Sequence, residues 1–229
     1  MKVLITTRDA ENWLLAPQLH FLVKYWPDCP FPIDVLGGPK AREVFLGLVD
    51  EGRKDGLWLR EAYCGDDSSW VKLLIWHLQG QNPNEPFLLL LNDYLLADRI
   101  NQRRMTAYYA VMKNDPTLSF LRLNACPGPE GPSYEEFRPT IEEWGLSYFK
   151  LGQAYNLSLQ PTIFRTSFLL KNLDPNWSAW DVEIKGSRLF AAGYPLNAVG
   201  THDTALPVMN LLRRGEVDPV AKREMEEKW

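Results

Sequence analysis

The chain is poor in cysteine: three in 229 residues, Cys29, Cys64 and Cys126, far apart and with no CxxC or Cys/His spacing. That excludes a disulfide scaffold and a cysteine-based zinc site, and fits a reducing compartment. No apolar run approaches the length of a membrane span. The opening MKVLITTRDAENW turns polar after five residues, unlike a secretory signal. These features together give a cytoplasmic expectation. Positive charge is not in excess, with 25 Lys and Arg against 29 Asp and Glu. The formal net charge is −4, and the pairs Arg103-Arg104 and Arg213-Arg214 are short, so a surface built to neutralise phosphate backbones is not expected. No GxSxG, P-loop, GxGxxG or HExxH is present. LGGPK has two glycines after a strand-like run, but neither dinucleotide nor Walker spacing.

Aromatic residues are abundant, with nine Trp, nine Tyr and ten Phe. They suit a thick core, and also a site that stacks on flat ligands. The first half alternates strand-like and helix-like runs. KVLIT reads as a strand, residues 11–26 as an amphipathic helix, PIDVLGG as a strand, KAREVFLGLV as a helix and GLWLRE as a strand. A helix capped by Asp67, Ser68 or Ser69 carries WVKLLIWHL; the strand Phe87–Leu91, a helix over 98–113 and the strand LSFLRLN follow. This order implies an α/β fold with a mostly parallel sheet flanked by helices. NACPGPEGPSYEEFRP is a long loop by its Pro and Gly density. LSYFKLG and YNLSLQ are expected to pair as a hairpin, RTSFLLKNL to form a helix capped by Thr166 or Ser167, and SAWDVEIKGS a short helix ended by Gly186. An Asp-Pro start opens a C-terminal helix. Without repeats or linkers, residues 1–229 read as one domain.

The run Phe87–Leu91 ends in Asn92-Asp93-Tyr94. A strand buried on both faces needs a reason to end in a carboxylate. Ligands of open α/β sheets bind beyond the carboxyl ends of the strands. Asp93 there suits a hard cation such as Mg²⁺ or Mn²⁺ shared with phosphate oxygens, or a sugar hydroxyl; a helix cap or an arginine partner is the structural alternative. Asp181 and Glu183 are candidate general bases, or ordinary acids of an exposed helix. Trp180 and Glu183, three apart, share a helix face, where the indole offers a platform for a sugar ring. Gln160 could bond a sugar hydroxyl or satisfy a broken strand ladder. His202, beside Asp203 in a loop, could touch a pyrophosphate or metal, or make a local hydrogen bond.

Four segments in order, VLITTRDAENWLLAPQLHFLVKYWP, FLLLLNDYLLADRI, LSLQPTIFRTSFLLKNL and AWDVEIKGS, resemble a family of small bacterial and phage proteins with the glycosyltransferase A (GT-A) fold. The resemblance implies a GT-A-like single domain. A nucleotide-sugar half spans about residues 1–125 and an acceptor-side half 126–229. Thr6, Thr7, Arg8 and Asp9 would lie near the nucleotide. Asp93 would take the place of the last acid of the metal-binding Asp-x-Asp element, with Asn92 where the family often has a second carboxylate. The expected function is transfer of a sugar from a nucleotide-diphosphate sugar to a hydroxyl acceptor, assisted by Mg²⁺ or Mn²⁺. The acceptor would be a glycan, a small molecule or, against the charge, a nucleic acid. Alternatives on the same fold are a nucleotide-sugar hydrolase, a nucleotidyltransferase or a non-catalytic binding protein; the missing second carboxylate favours the last.

Overall fold

A computed structural model describes residues 1–50, 57–63, 69–124, 145–149, 156–191, 197–213 and 215–229. Its centre is an eight-stranded mixed sheet. The first four strands are β1 (Val3–Thr6), β2 (Ile33–Gly37), β3 (Leu59–Tyr63) and β4 (Pro86–Leu91). They lie parallel in the order β3-β2-β1-β4. Strand β5 (Tyr94–Leu96) leaves this sheet and pairs with β10 (Val208–Asn210). The large sheet continues through β8 (Thr162–Arg165), β6 (Phe120–Arg122), β9 (Ala198–Thr201) and β7 (Leu146–Tyr148). Strand β8 is antiparallel to both neighbours, β9 is parallel to β6, and β7 is antiparallel to β9. A short hairpin, β11 (Leu212–Arg213) with β12 (Glu216–Val217), precedes the C-terminal helix and turns at Gly215, whose φ of 81° favours glycine.

Alternation explains the unbroken apolar run in β4. Leu88 and Leu90 join Val3, Ile5, Ile33 and Val35 on one face of the sheet. Phe87 and Leu89 join Leu4, Leu36, Phe120 and Phe164 on the other. Both faces are covered, so both sets are apolar. Helices α1 (Leu15–Tyr25), α2 (Pro39–Asp50) and α4 (Gln102–Asn114) contribute to the first cluster. Helices α3 (Trp70–Gln79), α5 (Thr166–Asn172) and α6 (Ala179–Ala191) contribute to the second. The buried Arg165 closes the end of α4, donating to Leu118 O at 2.8 Å, Asn84 O at 2.7 Å and Asp115 O at 2.9 Å. Helix α7 (Pro219–Lys228) starts at Asp218, which accepts from Val220 N and Ala221 N.

Several local expectations need correction. Residues 11–14 belong to a 3₁₀ turn, Asp9–Leu14, before α1 begins. YNLSLQ is no strand over its described residues 156–160; the strand is the following Thr162–Arg165. Strand β8 begins just after the Gln160-Pro161 break and pairs with β4 and β6. LSY pairs with β9, not with YNLSLQ. Helix α5 follows Arg165 without a side-chain cap from Thr166 or Ser167. Gly186 does not end α6, which runs on to Ala191. It permits close approach instead: a Cβ there would lie 2.5 Å from Leu157 Cδ2. The Pro/Gly-rich loop NACPGPEGPSYEEFRP lies outside the described residues except for Asn124.

Candidate active site

Strands β1 and β4 end side by side, and the chain beyond each is held by the other. Asn92 N donates to Thr6 O at 3.1 Å. Asn92 Nδ2 donates to Thr7 Oγ1 at 2.6 Å and to Glu11 O at 3.0 Å. Thr6 Oγ1 accepts from Trp70 Nε1 at 2.9 Å, which ties the first turn of α3 to the same edge. Gly37 lets α2 close on this edge, since a Cβ there would sit 2.6 Å from Ala41 Cβ and 3.0 Å from Thr7 Cγ2. The strand ends thus form a fixed floor rather than a loose loop.

Above this floor opens a cleft of about 1040 Å³. That lies at the upper end of small-molecule sites, which run to ~1,000 Å³. Thr6, Thr7, Arg8, Asn92, Asp93, Gln160, Trp180 and Glu183 all line it, so the structure brings together most of the residues singled out from the sequence. Sequence reasoning missed Glu11, Trp70, Lys72, Tyr94, Asn210 and Arg213, which line it too. Arg8 and Glu11, three apart in the sequence, pair at 2.7 Å at the start of the 3₁₀ turn. Arg213 comes from the far end of the chain and pairs with Asp218 at 2.7 Å.

Three of the singled-out residues lie elsewhere. Asp9 turns away to cap α2, its Oδ1 accepting from Lys40 N at 3.0 Å and Ala41 N at 3.1 Å. His202 Nε2 bonds Ser147 Oγ at 2.5 Å, and neighbouring Asp203 pairs with Arg104, so this loop makes local contacts and is not part of the cleft lining. Asp181 caps the start of its own helix, accepting from Ser178 N at 3.0 Å and Ser178 Oγ at 2.9 Å, and pairs with Lys185 at 2.8 Å. The Lys185 ammonium and the Ser178 donors hold its carboxyl down to about 2. A carboxylate so stabilised is a poor proton acceptor.

Glu183 is placed differently. Its Oε1 accepts from Ser158 Oγ at 2.9 Å and from Leu159 N at 2.7 Å. One turn on, Ser187 Oγ accepts from Leu157 N at 3.1 Å and donates to Leu157 O at 3.3 Å. Two successive turns of α6 are therefore clamped to the segment entering β8, and Glu183 Oε2 has no hydrogen-bond partner among the described residues. Trp180, on the same helix face, is 50% exposed beside it.

Asp93 lies in the turn between β4 and β5, its carbonyl accepting from Leu211 N at 2.8 Å. Burial raises its carboxyl to about 7, and the negative charges of Glu11 and Glu183 add to the rise. The same burial, with Asp93 and Glu183, pushes the Tyr94 phenol up. A cation in the cleft would relieve this concentration of acids. Among the described residues, no three His, Cys, Asp or Glu side chains form a group that would hold a metal unaided. With the Asn92 amide nitrogen used inside the protein, Asp93 and Asn92 Oδ1 are the donors at the β4 exit. Such a set fits Mg²⁺ or Mn²⁺ only as a shared site, completed by ligand phosphate oxygens and water.

No protein-family model matches the chain, and no curated protein matches it. Solved structures do. Residues 1–349 of S. aureus TarS in complex with UDP-GlcNAc superimpose with a TM-score of 0.59 at 18% identity over 95% of this chain. The mannosyltransferase PcManGT from Pyrobaculum calidifontis, in complex with GDP-Man and Mn²⁺, gives 0.58 at 14% over 93%. GalNAc-T7 with UDP, GalNAc and Mn²⁺ gives 0.60 at 13% over 94%. The fold is GT-A. The GT-A match spans only 60%, 57% and 44% of those chains, so this protein covers roughly half their length. Among the described residues of this GT-A chain, no helix is long and apolar enough to cross a membrane.

Proposed function

We propose that the protein is a glycosyltransferase that moves a sugar from a nucleotide-diphosphate donor to a hydroxyl acceptor. The observation that carries this is Glu183, a clamped carboxylate opening on the same cleft as Asp93 and near enough for its charge to raise the Asp93 carboxyl. A base on one wall and a diphosphate-side carboxylate on the floor are what displacement at a sugar carbon needs. The UDP-GlcNAc and GDP-Man complexes of TarS and PcManGT support the same reading of the donor.

In this reading Thr6, Thr7 and Arg8 meet the nucleotide at the exit of β1. Asp93, with Asn92 Oδ1, would hold Mg²⁺ or Mn²⁺; when bound, the ion would neutralise charge that builds on the leaving group. Lys72 and Arg213 also line the cleft and add positive charge to it. Glu183 Oε2 takes the proton from the acceptor hydroxyl. The acceptor oxygen bonds the anomeric carbon as its bond to the donor phosphate breaks, and the electron pair leaves with the nucleoside diphosphate. Configuration inverts, because attack and departure are on opposite faces.

The test is thermal shift against UDP- and GDP-sugars with and without Mn²⁺, followed by product analysis with acceptor present. Binding to the folded state raises the transition temperature. Stabilisation by a nucleotide sugar and a glycosylated product are expected. No shift with any nucleotide sugar overturns the reading, and free sugar as the sole product in the presence of acceptor reassigns the protein as a hydrolase.

A further inference from the structure

The acceptor side of the cleft has a distinct chemistry. Residues 159–183 contribute two indoles, Trp177 and Trp180, and the neutral hydrogen-bonding side chains of Gln160, Asn176 and Ser178. The one charge they bring to the lining is Glu183. Neither Arg165 nor Lys171, the cations within residues 159–183, lines the cleft; Lys185, just beyond, pairs with Asp181, and its ammonium lies 5.9 Å from the centroid of the Trp177 ring. The Trp180 indole is half exposed, an apolar plate open to solvent beside the proposed base.

Each feature selects among acceptors. A phosphorylated or nucleic-acid acceptor needs cations along its path, and this wall offers a carboxylate instead. A peptide needs backbone partners or apolar pockets. An uncharged pyranose matches: its C–H face covers an indole while its hydroxyls reach the Gln160 and Asn176 amides, and one hydroxyl meets Glu183. We infer that the acceptor is an uncharged saccharide seated on Trp180, with Trp177 as the adjoining wall. This deepens the glycosyltransferase reading and rests on it only for the fate of the hydroxyl; the saccharide seat stands on the wall itself.

The experiment is binding of the full chain to an array of neutral, sialylated, sulfated and phosphorylated glycans, with single-stranded DNA as a further probe. The wild type, Trp180→Ala and Trp180→Phe are compared. Binding to neutral glycans is expected, weakened about tenfold in Trp180→Ala by loss of the apolar contact between the sugar's C–H face and the indole, and largely recovered in Trp180→Phe. Binding to no neutral glycan, binding confined to anionic glycans or DNA, or neutral binding indifferent to Trp180→Ala each overturns the proposal. The nucleotide-sugar thermal shift reads the glycosyltransferase assignment separately. A neutral-glycan seat without nucleotide-sugar binding would sink that assignment and leave the seat standing.

Discussion

Asn92 Nδ2 donates to Thr7 Oγ1 at 2.6 Å, a buried bond between the exits of two adjacent parallel strands. The same nitrogen reaches Glu11 O, so both its hydrogens are used. Asn92 is thus a brace for the floor of the cleft.

The first prediction follows from that brace. Asn92→Asp removes both donated hydrogen bonds and sets a carboxylate against the Glu11 carbonyl. It should destabilise the fold by about 2–4 kcal/mol, the range for an uncompensated buried polar group or charge. Urea denaturation measures this. An unchanged midpoint together with tighter Mn²⁺ binding would mean that the side chain serves the cation and not the floor.

Asp93 gives a pH dependence. With its carboxyl at about 7, a metal–diphosphate complex must displace a proton below that value. Apparent Mn²⁺ affinity in the presence of nucleoside diphosphate should fall up to about tenfold per unit below pH 7 and level off above it. Calorimetry between pH 6 and 8 reads the slope, and a flat profile would remove Asp93 from the metal. The stability sign is opposite to that of a paired carboxylate. The folded value lies above the ordinary 3.8, so the contribution is full below that value and is lost as pH rises toward 7. Asp93→Asn should therefore stabilise the metal-free protein at pH 8, by about 2–4 kcal/mol.

Glu183 and Asp181 should separate cleanly. Glu183→Gln keeps an oxygen for Ser158 and Leu159 and loses the base; turnover should fall roughly 10²–10⁴-fold with donor affinity retained. Asp181→Asn should lower the transition temperature, through the weakened cap and lost Lys185 pair, with turnover within a few-fold of wild type. Steady-state kinetics and donor titration of both variants decide. A large loss in Asp181→Asn alone would exchange their roles.

His77 predicts acid sensitivity away from the cleft. It is 7% exposed, and burial lowers its imidazole to about 4 against the pull of Asp34, whose Oδ2 lies 3.6 Å from Nε2. The folded value is below the ordinary 6.5, so the unfolded chain binds the proton more readily. Stability is therefore full above 6.5 and is lost as pH falls toward 4. Between pH 7.5 and 5 the loss should be about 2 kcal/mol. His77→Gln should flatten that slope in urea titrations; an unchanged slope would place the acid sensitivity elsewhere.

Two helix starts were legible in the sequence because their signals are local. Ser69 does accept from Lys72 N, and Asp218-Pro219 does open the last helix. The short strands β8, β9 and β10 carried no such signal. Each has three or four residues, and their pairing partners come from far along the chain, as with Phe164 beside both Phe87 and Phe120. Pairing of that kind is a property of the assembled sheet.

By itself, the sequence determined the central parallel strands and the place of Asp93 at the end of one. Five consecutive apolar residues can bury both faces of a strand, and a carboxylate beyond them must be at an edge. It also determined that Trp180 and Glu183 share a helix face, since spacing in an α-helix is fixed by its geometry. Only the tertiary structure set the different surroundings of Glu183 and Asp181. Both acids stand on one helix two residues apart, and the spacing from Trp180 favours Glu183 without showing what either carboxylate meets. Asp181 met the free donors at its own helix start, whereas Glu183 met Ser158 and Leu159, brought to it from about 25 residues upstream. A carboxylate's chemistry is set by the donors and charges around it, and those are chosen by packing.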